Sequence, residues 1–115
     1  MKILVVGAGV IGAKVIKQLR RNPSIEIRVV DSRKVPYSVE EGIIETVDYQ
    51  VELRPVELEQ VINEVKPDIV LVTTSPQDIS KSSIPGLEIL VEALRIELES
   101  ASKVPIIAVS RSELS

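Results

Sequence analysis

Six residues near the start of the chain, Gly7-Ala8-Gly9-Val10-Ile11-Gly12, constrain its fold more than any other stretch. They follow Lys2 to Val6, an apolar and largely β-branched run of the type found in a strand covered on both faces. A segment of helical period begins at once after them. A lone G-x-G-x-x-G specifies little, but this one stands between a strand and a helix, and a second strand, Ile25 to Val30, follows and ends in Asp31.

Each glycine has a physical reason. Gly7 lets the chain reverse tightly, Gly9 carries no Cβ to hold a pyrophosphate off the backbone, and Gly12 lets the helix lie close to the strand. The unpaired amides of the helix's first turn, at the positive end of its dipole, face whatever anion sits over the glycines. Asp31 falls 19 positions after Gly12, where a carboxylate can accept hydrogen bonds from a ribose 2′-OH. A phosphate site at Gly7, Ala8, Gly9, Val10, Ile11 and Gly12 and a ribose site at Asp31 are therefore expected together, with Ser32 and Arg33 beside them as further cofactor-binding residues.

On these residues, Lys2 to Asp31 resembles the Rossmann NAD(P)-binding domain of the dehydrogenase superfamily, and the strand and helix rhythm carries the likeness over nearly the whole chain. The resemblance implies NAD or NADP as ligand. Asp31 repels a 2′-phosphate and favours NAD, whereas Arg33 and Lys34 would attract one, which keeps NADP as the alternative. A second alternative is a Rossmann-like fold without ligand, whose glycines serve only the turn and the packing.

The rest of the chain fits a doubly wound sheet. The first helix is expected over Val10 to Arg21, with Ile11, Val15, Ile16 and Leu19 on its apolar face, and Asn22-Pro23-Ser24 ends it. Glu26 and Arg28 put the second strand near a sheet edge. Ser32 to Gly42 has loop chemistry with room for a short helix, and Ile43 to Val51 predicts an edge strand. The resemblance brings the following loop, Glu52 to Pro55, near an adenine ring. Pro55 opens a helix to Lys66, and Ile69 to Thr74 is a buried strand. Ligands in open parallel sheets lie beyond the carboxyl ends of the strands, so Thr73, Thr74 and Ser75 are expected across from the glycines. Ser75-Pro76-Gln77-Asp78 looks like a helix start, and the Lys81-Ser82-Ser83 loop beyond it reads either as a lid or as a solvated connection. Leu87 to Ala101 is the longest helix and Pro105 to Val109 a fifth strand. The sum is a single three-layer α/β domain with a parallel five-stranded sheet of order 3-2-1-4-5.

Composition narrows the chemistry. The 115 residues contain no Cys and no His, which removes thiol catalysis, disulfides, Cys/His metal sites and the commonest general base. A net charge of −3 gives no basic surface for nucleic acid or anionic lipid. No run approaches a membrane span, and a cytoplasmic location is the expectation. Ile11 stands where the third glycine of a methyltransferase G-x-G-x-G turn would fall, which ranks S-adenosylmethionine and other adenosine nucleotides below NAD. No Gly-Lys-Ser/Thr follows the turn, which excludes a P-loop. The Tyr-x-x-x-Lys pair of short-chain dehydrogenases is absent, because Glu41 lies four after Tyr37 and Leu53 four after Tyr49.

Three function classes follow. The chain is the cofactor subunit of an oxidoreductase, similar to the cofactor domains of saccharopine and homoserine dehydrogenases, with a partner chain supplying catalysis; or a free-standing regulatory module similar to the nucleotide-sensing domains of potassium channels; or a structural protein without ligand. Catalysis by the chain alone is expected to be negligible. Ile89 and Ile96, with Ala93 between them, lie opposite the apolar stripe of helix 87–101 and predict a homodimer through that helix.

Overall fold

The computed structural model describes residues 1–73 and 104–109. In chain order its elements are β1 (Lys2–Val6), α1 (Val10–Leu19), β2 (Glu26–Asp31), α2 (Tyr37–Glu40), β3 (Tyr49–Gln50), α3 (Pro55–Val65), β4 (Ile69–Val72) and β5 (Ile106–Ala108). β1 is the central strand, paired in parallel with β2 from Lys2↔Glu26 to Val6↔Val30 and with β4 from Ile3↔Ile69 to Val6↔Val72. β3 and β5 extend the two sides, giving one parallel sheet of order β3-β2-β1-β4-β5, the order expected from the sequence.

Alternation along β1 divides the core into two layers. Ile3 and Val5 pack with Val15 and Ile16 of α1, while Leu4 and Val6 pack with Leu58, Val61, Ile62 and Val65 of α3. Both faces of the strand are therefore dry, which is why its sequence is continuously apolar. Burying side chains such as Ile16 and Leu58, both 0% exposed, contributes about 1.5–3 kcal/mol apiece.

Element ends follow local chemistry. α1 stops at Leu19, two residues short of the expectation, and the amides of Arg21 and Asn22 turn back to Gln18 and Leu19. Asn22 Oδ1 then accepts the amide and hydroxyl of Ser24, closing the turn around Pro23. Pro55 opens α3, and Lys66 ends it in the left-handed region at φ 54°.

The third strand departs from the sequence reading. Only Tyr49 and Gln50 pair with β2, where Ile43 to Val51 was expected to be extended. The amides of Ile43 and Ile44 are taken by the Ser38 carbonyl, which wraps this stretch around the end of α2, and Val47 is buried in the α1-side core. β3 thus covers only the carboxyl end of β2. Its amino end carries Glu26, whose Oε2 lies 3.4 Å from Lys2 Nζ and 3.3 Å from Arg28 Nη2, in keeping with the edge character read from those charges.

Two aspartates set the strand register. The Asp68 amide donates to the Lys2 carbonyl while Asp68 Oδ2 accepts the Lys2 amide, each at 2.7 Å. Asp48 does the same to Val29, with its amide on the Val29 carbonyl at 2.9 Å and its Oδ2 on the Val29 amide at 2.7 Å. In each case a carboxylate stands in for a main-chain carbonyl and extends the ladder by one rung.

The expected helix start at Ser75, the loop at Lys81 to Ser83 and helix 87–101 with its Ile89 and Ile96 face lie outside the described residues. Among the described residues, no helix is long and apolar enough to cross a membrane, and no cluster of acidic residues could hold a metal ion.

Candidate functional site

The carboxyl ends of β1, β2 and β4 meet at the glycine turn. Gly7 has φ 100°, a conformation that strains any residue with a Cβ, and its amide donates to the Val30 carbonyl at 2.8 Å, tying the turn to β2. On the β4 side, the Thr73 amide donates to the Val6 carbonyl at 2.8 Å. The Thr73 hydroxyl lies 2.8 Å from the Gly7 carbonyl oxygen and 3.0 Å from that of Val6. A Cβ on Gly12 would lie 2.1 Å from the Gly7 oxygen, so α1 approaches the turn as closely as a glycine permits.

Gly9 is the N-cap of α1, at φ −79° and ψ −155°, and no side chain caps the helix. The first amides of a helix lack intrahelical partners, and they lie at the positive end of its dipole, which suits an anionic acceptor. Val10 is 41% exposed beside it, while Ala8 and Ile11 are buried. The donor set suits a pyrophosphate: main-chain amides at glycines, which bring no side chain of their own. The residues present therefore fit a dinucleotide.

Asp31 ends β2 next to this turn and is almost wholly buried. Its Oδ2 accepts the Ala8 amide at 2.7 Å and Arg33 Nη2 at 3.0 Å; its Oδ1 accepts the Arg33 amide at 2.9 Å and Arg33 Nε at 3.1 Å. Burial by itself pushes the carboxyl up, but the Arg33 side chain, with the amides of Arg33 and Ala8, outweighs it and holds the group below its ordinary range.

Of the residues singled out from sequence, the structure brings together Gly7, Ala8, Gly9, Val10, Ile11, Gly12, Asp31, Ser32, Arg33 and Thr73; Thr74 and Ser75 lie outside the described residues. The Ser32 carbonyl accepts the Gln50 side-chain amide at 3.3 Å. Leu53, in the loop assigned to the adenine, is buried with the α3-side core. Ser38 was missed by the sequence reading: its amide donates to the Ala8 carbonyl at 2.9 Å, and its buried hydroxyl has no partner among the described residues. The coupling of Arg33 to Asp31 was missed too. Its signal was the spacing, since an aspartate readily accepts the amide two residues on.

The model of the NAD dependent epimerase/dehydratase family matches residues 3–101. Among curated protein sequences none matches. Among solved structures, the dTDP-glucose 4,6-dehydratase of Bacillus anthracis str. Ames in complex with NAD aligns at TM-score 0.66 and 21% identity, over 96% of this chain and 37% of that one. A UDP-glucose 4-epimerase aligns at 0.62 and 22%, over 94% and 35%. The UDP-glucose 4-epimerase of Thermus thermophilus in complex with NAD aligns at 0.56 and 25%, over 84% and 34%. This chain thus spans little more than a third of the structures it matches.

Proposed function

The chain belongs to the NAD dependent epimerase/dehydratase family, and on that premise we propose that it binds NAD in the crevice over Gly7 to Gly12. The first amides of α1 would hold the pyrophosphate and Asp31 the adenosine ribose. The observation that carries this reading is the turn itself: a left-handed Gly7, an uncapped helix at Gly9 and a Gly12 that admits no Cβ. The buried carboxylate of Asp31 disfavours a 2′-phosphate and supports NAD over NADP.

Bound NAD supplies a hydride acceptor. The chain's own residues bind and orient it: Gly9 lets phosphate reach the amides, and Thr73 fixes the carbonyl at the head of the turn. The 115 residues contain no His or Cys, and no lysine stands four positions after Tyr37 or Tyr49, which supports a partner chain as the source of the acid and base groups for a substrate. The chain serves as a cofactor-binding unit of such an assembly. Association of two copies through Ile89 and Ile96 belongs to the same proposal, and sedimentation of an Ile89→Glu/Ile96→Glu variant tests it.

Calorimetry with NAD(H), NADP(H) and AMP tests the binding reading. Wild type is expected to bind NAD, and Gly9→Ala to bind it more weakly while staying folded, because φ −79° suits alanine as well as glycine. Absence of heat with all of these nucleotides would remove the reading.

A further inference from the structure

The Asp31 carboxylate has no acceptor position left. A carboxylate offers about four lone-pair sites, and here the Ala8 amide and three Arg33 donors, its amide, Nε and Nη2, take them at 2.7–3.1 Å. Two of these donors are main-chain amides, fixed by the glycine turn and by the end of β2. The other two belong to one side chain that is 41% exposed. A ribose hydroxyl can therefore reach Asp31 only where the guanidinium now sits. Displacing any other donor would open the turn.

We propose that Arg33 is a specificity-determining residue that occupies the ribose position on Asp31 and must leave it when NAD binds. This rests on the nucleotide reading given above. From a 2′-hydroxyl the displaced guanidinium can gain only a neutral oxygen in place of a buried carboxylate. A 2′-phosphate would instead accept its fork of donors. Arg33 thus taxes NAD binding and spares the phosphorylated form, narrowing a preference that Asp31 by itself would make wide.

The test compares wild type, Arg33→Ala and Arg33→Lys as full chains, by calorimetry with NAD and NADP and by 15N NMR of the Arg33 Nε–H. Removing a half-exposed ion pair as competitor should tighten NAD binding about fivefold in Arg33→Ala and weaken NADP by a similar factor. Arg33→Lys keeps the charge without the fork and should move both affinities the same way by less, which preserves the test should the alanine variant not fold. In wild type, the Nε–H should exchange slowly without ligand and lose that protection on saturation with NAD. An unchanged or weakened NAD affinity in both variants, with wild type binding normally, overturns the displacement alone. So does an Nε–H that stays protected with NAD bound. Binding of neither nucleotide by wild type overturns the nucleotide reading and this inference together.

Discussion

The Thr73 hydroxyl lies 2.8 Å from the Gly7 carbonyl oxygen, the same oxygen that a Cβ on Gly12 would meet at 2.1 Å. The head of the turn is thus held from β4 and pressed from α1 at a single atom. Thr73→Val keeps the shape and removes the donor, leaving a buried carbonyl with one partner fewer. The expected cost is about 1–3 kcal/mol, recovered in Thr73→Ser, as read by chemical denaturation.

Gly9 and Gly12 separate ligand binding from packing. Gly12→Ala drives a methyl group into the Gly7 carbonyl, a main-chain atom that cannot move without its strand. A loss of about 1–3 kcal/mol or more is expected, with nucleotide binding lost as the turn shifts. Gly9→Ala is expected to leave the melting temperature nearly unchanged and to weaken NAD binding. Equal melting temperatures for the two variants would contradict this division.

Much of this architecture was legible in the sequence, for a reason that also marks where legibility stopped. The strand order and the glycine turn follow from patterns that act locally: an apolar run buried on both faces at Lys2 to Val6, and glycines where backbones must approach. The helix over Pro55 to Val65 was legible from its stripe and its proline. The third strand was not, because Ile43 and Ile44 spend their amides on the Ser38 carbonyl, a contact that exists only once α2 has formed. The site divides in the same way. Asp31 stands at the end of β2 as its spacing implied, but spacing does not reveal that Arg33 fills its acceptor positions, and Thr73 lay in the expected place with its hydroxyl turned to the protein's own carbonyls.

The register aspartates yield an asymmetric pair of predictions. Asp48→Ala strips the acceptor from the Val29 amide at a partly buried site, whereas Asp68→Ala exposes the Lys2 amide where water can replace the carboxylate. We expect about 1–3 kcal/mol for the first and about 0.5–1.5 kcal/mol for the second. Hydrogen exchange should quicken at Val29 in one variant and at Lys2 in the other. Losses of equal size would show that burial does not govern these rungs.

The acid limb of the stability curve should report Asp31. Its carboxyl is held below the ordinary value of 3.8 in the folded state, so the unfolded chain binds the proton more readily. Stability from this group is then fully present above the unfolded value and is lost as pH falls through the folded one. In Asp31→Asn that loss cannot occur, and stability should decline less steeply than in wild type as pH falls below 3.8, although the variant starts from a lower plateau because Arg33 loses its ion pair. Arg33→Ala acts on the same limb from the other side. It removes the principal downward influence and leaves burial in place, so the Asp31 carboxyl should titrate at higher pH, closer to its unfolded value, and the part of the acid-induced loss that Asp31 carries should be smaller than in wild type, again from a lower plateau at neutral pH. A 13C titration of the Asp31 carboxyl in wild type and Arg33→Ala, run beside denaturation at each pH, reads both effects; identical titration of Asp31 in the two proteins would mean that Arg33 does not hold the carboxylate in solution.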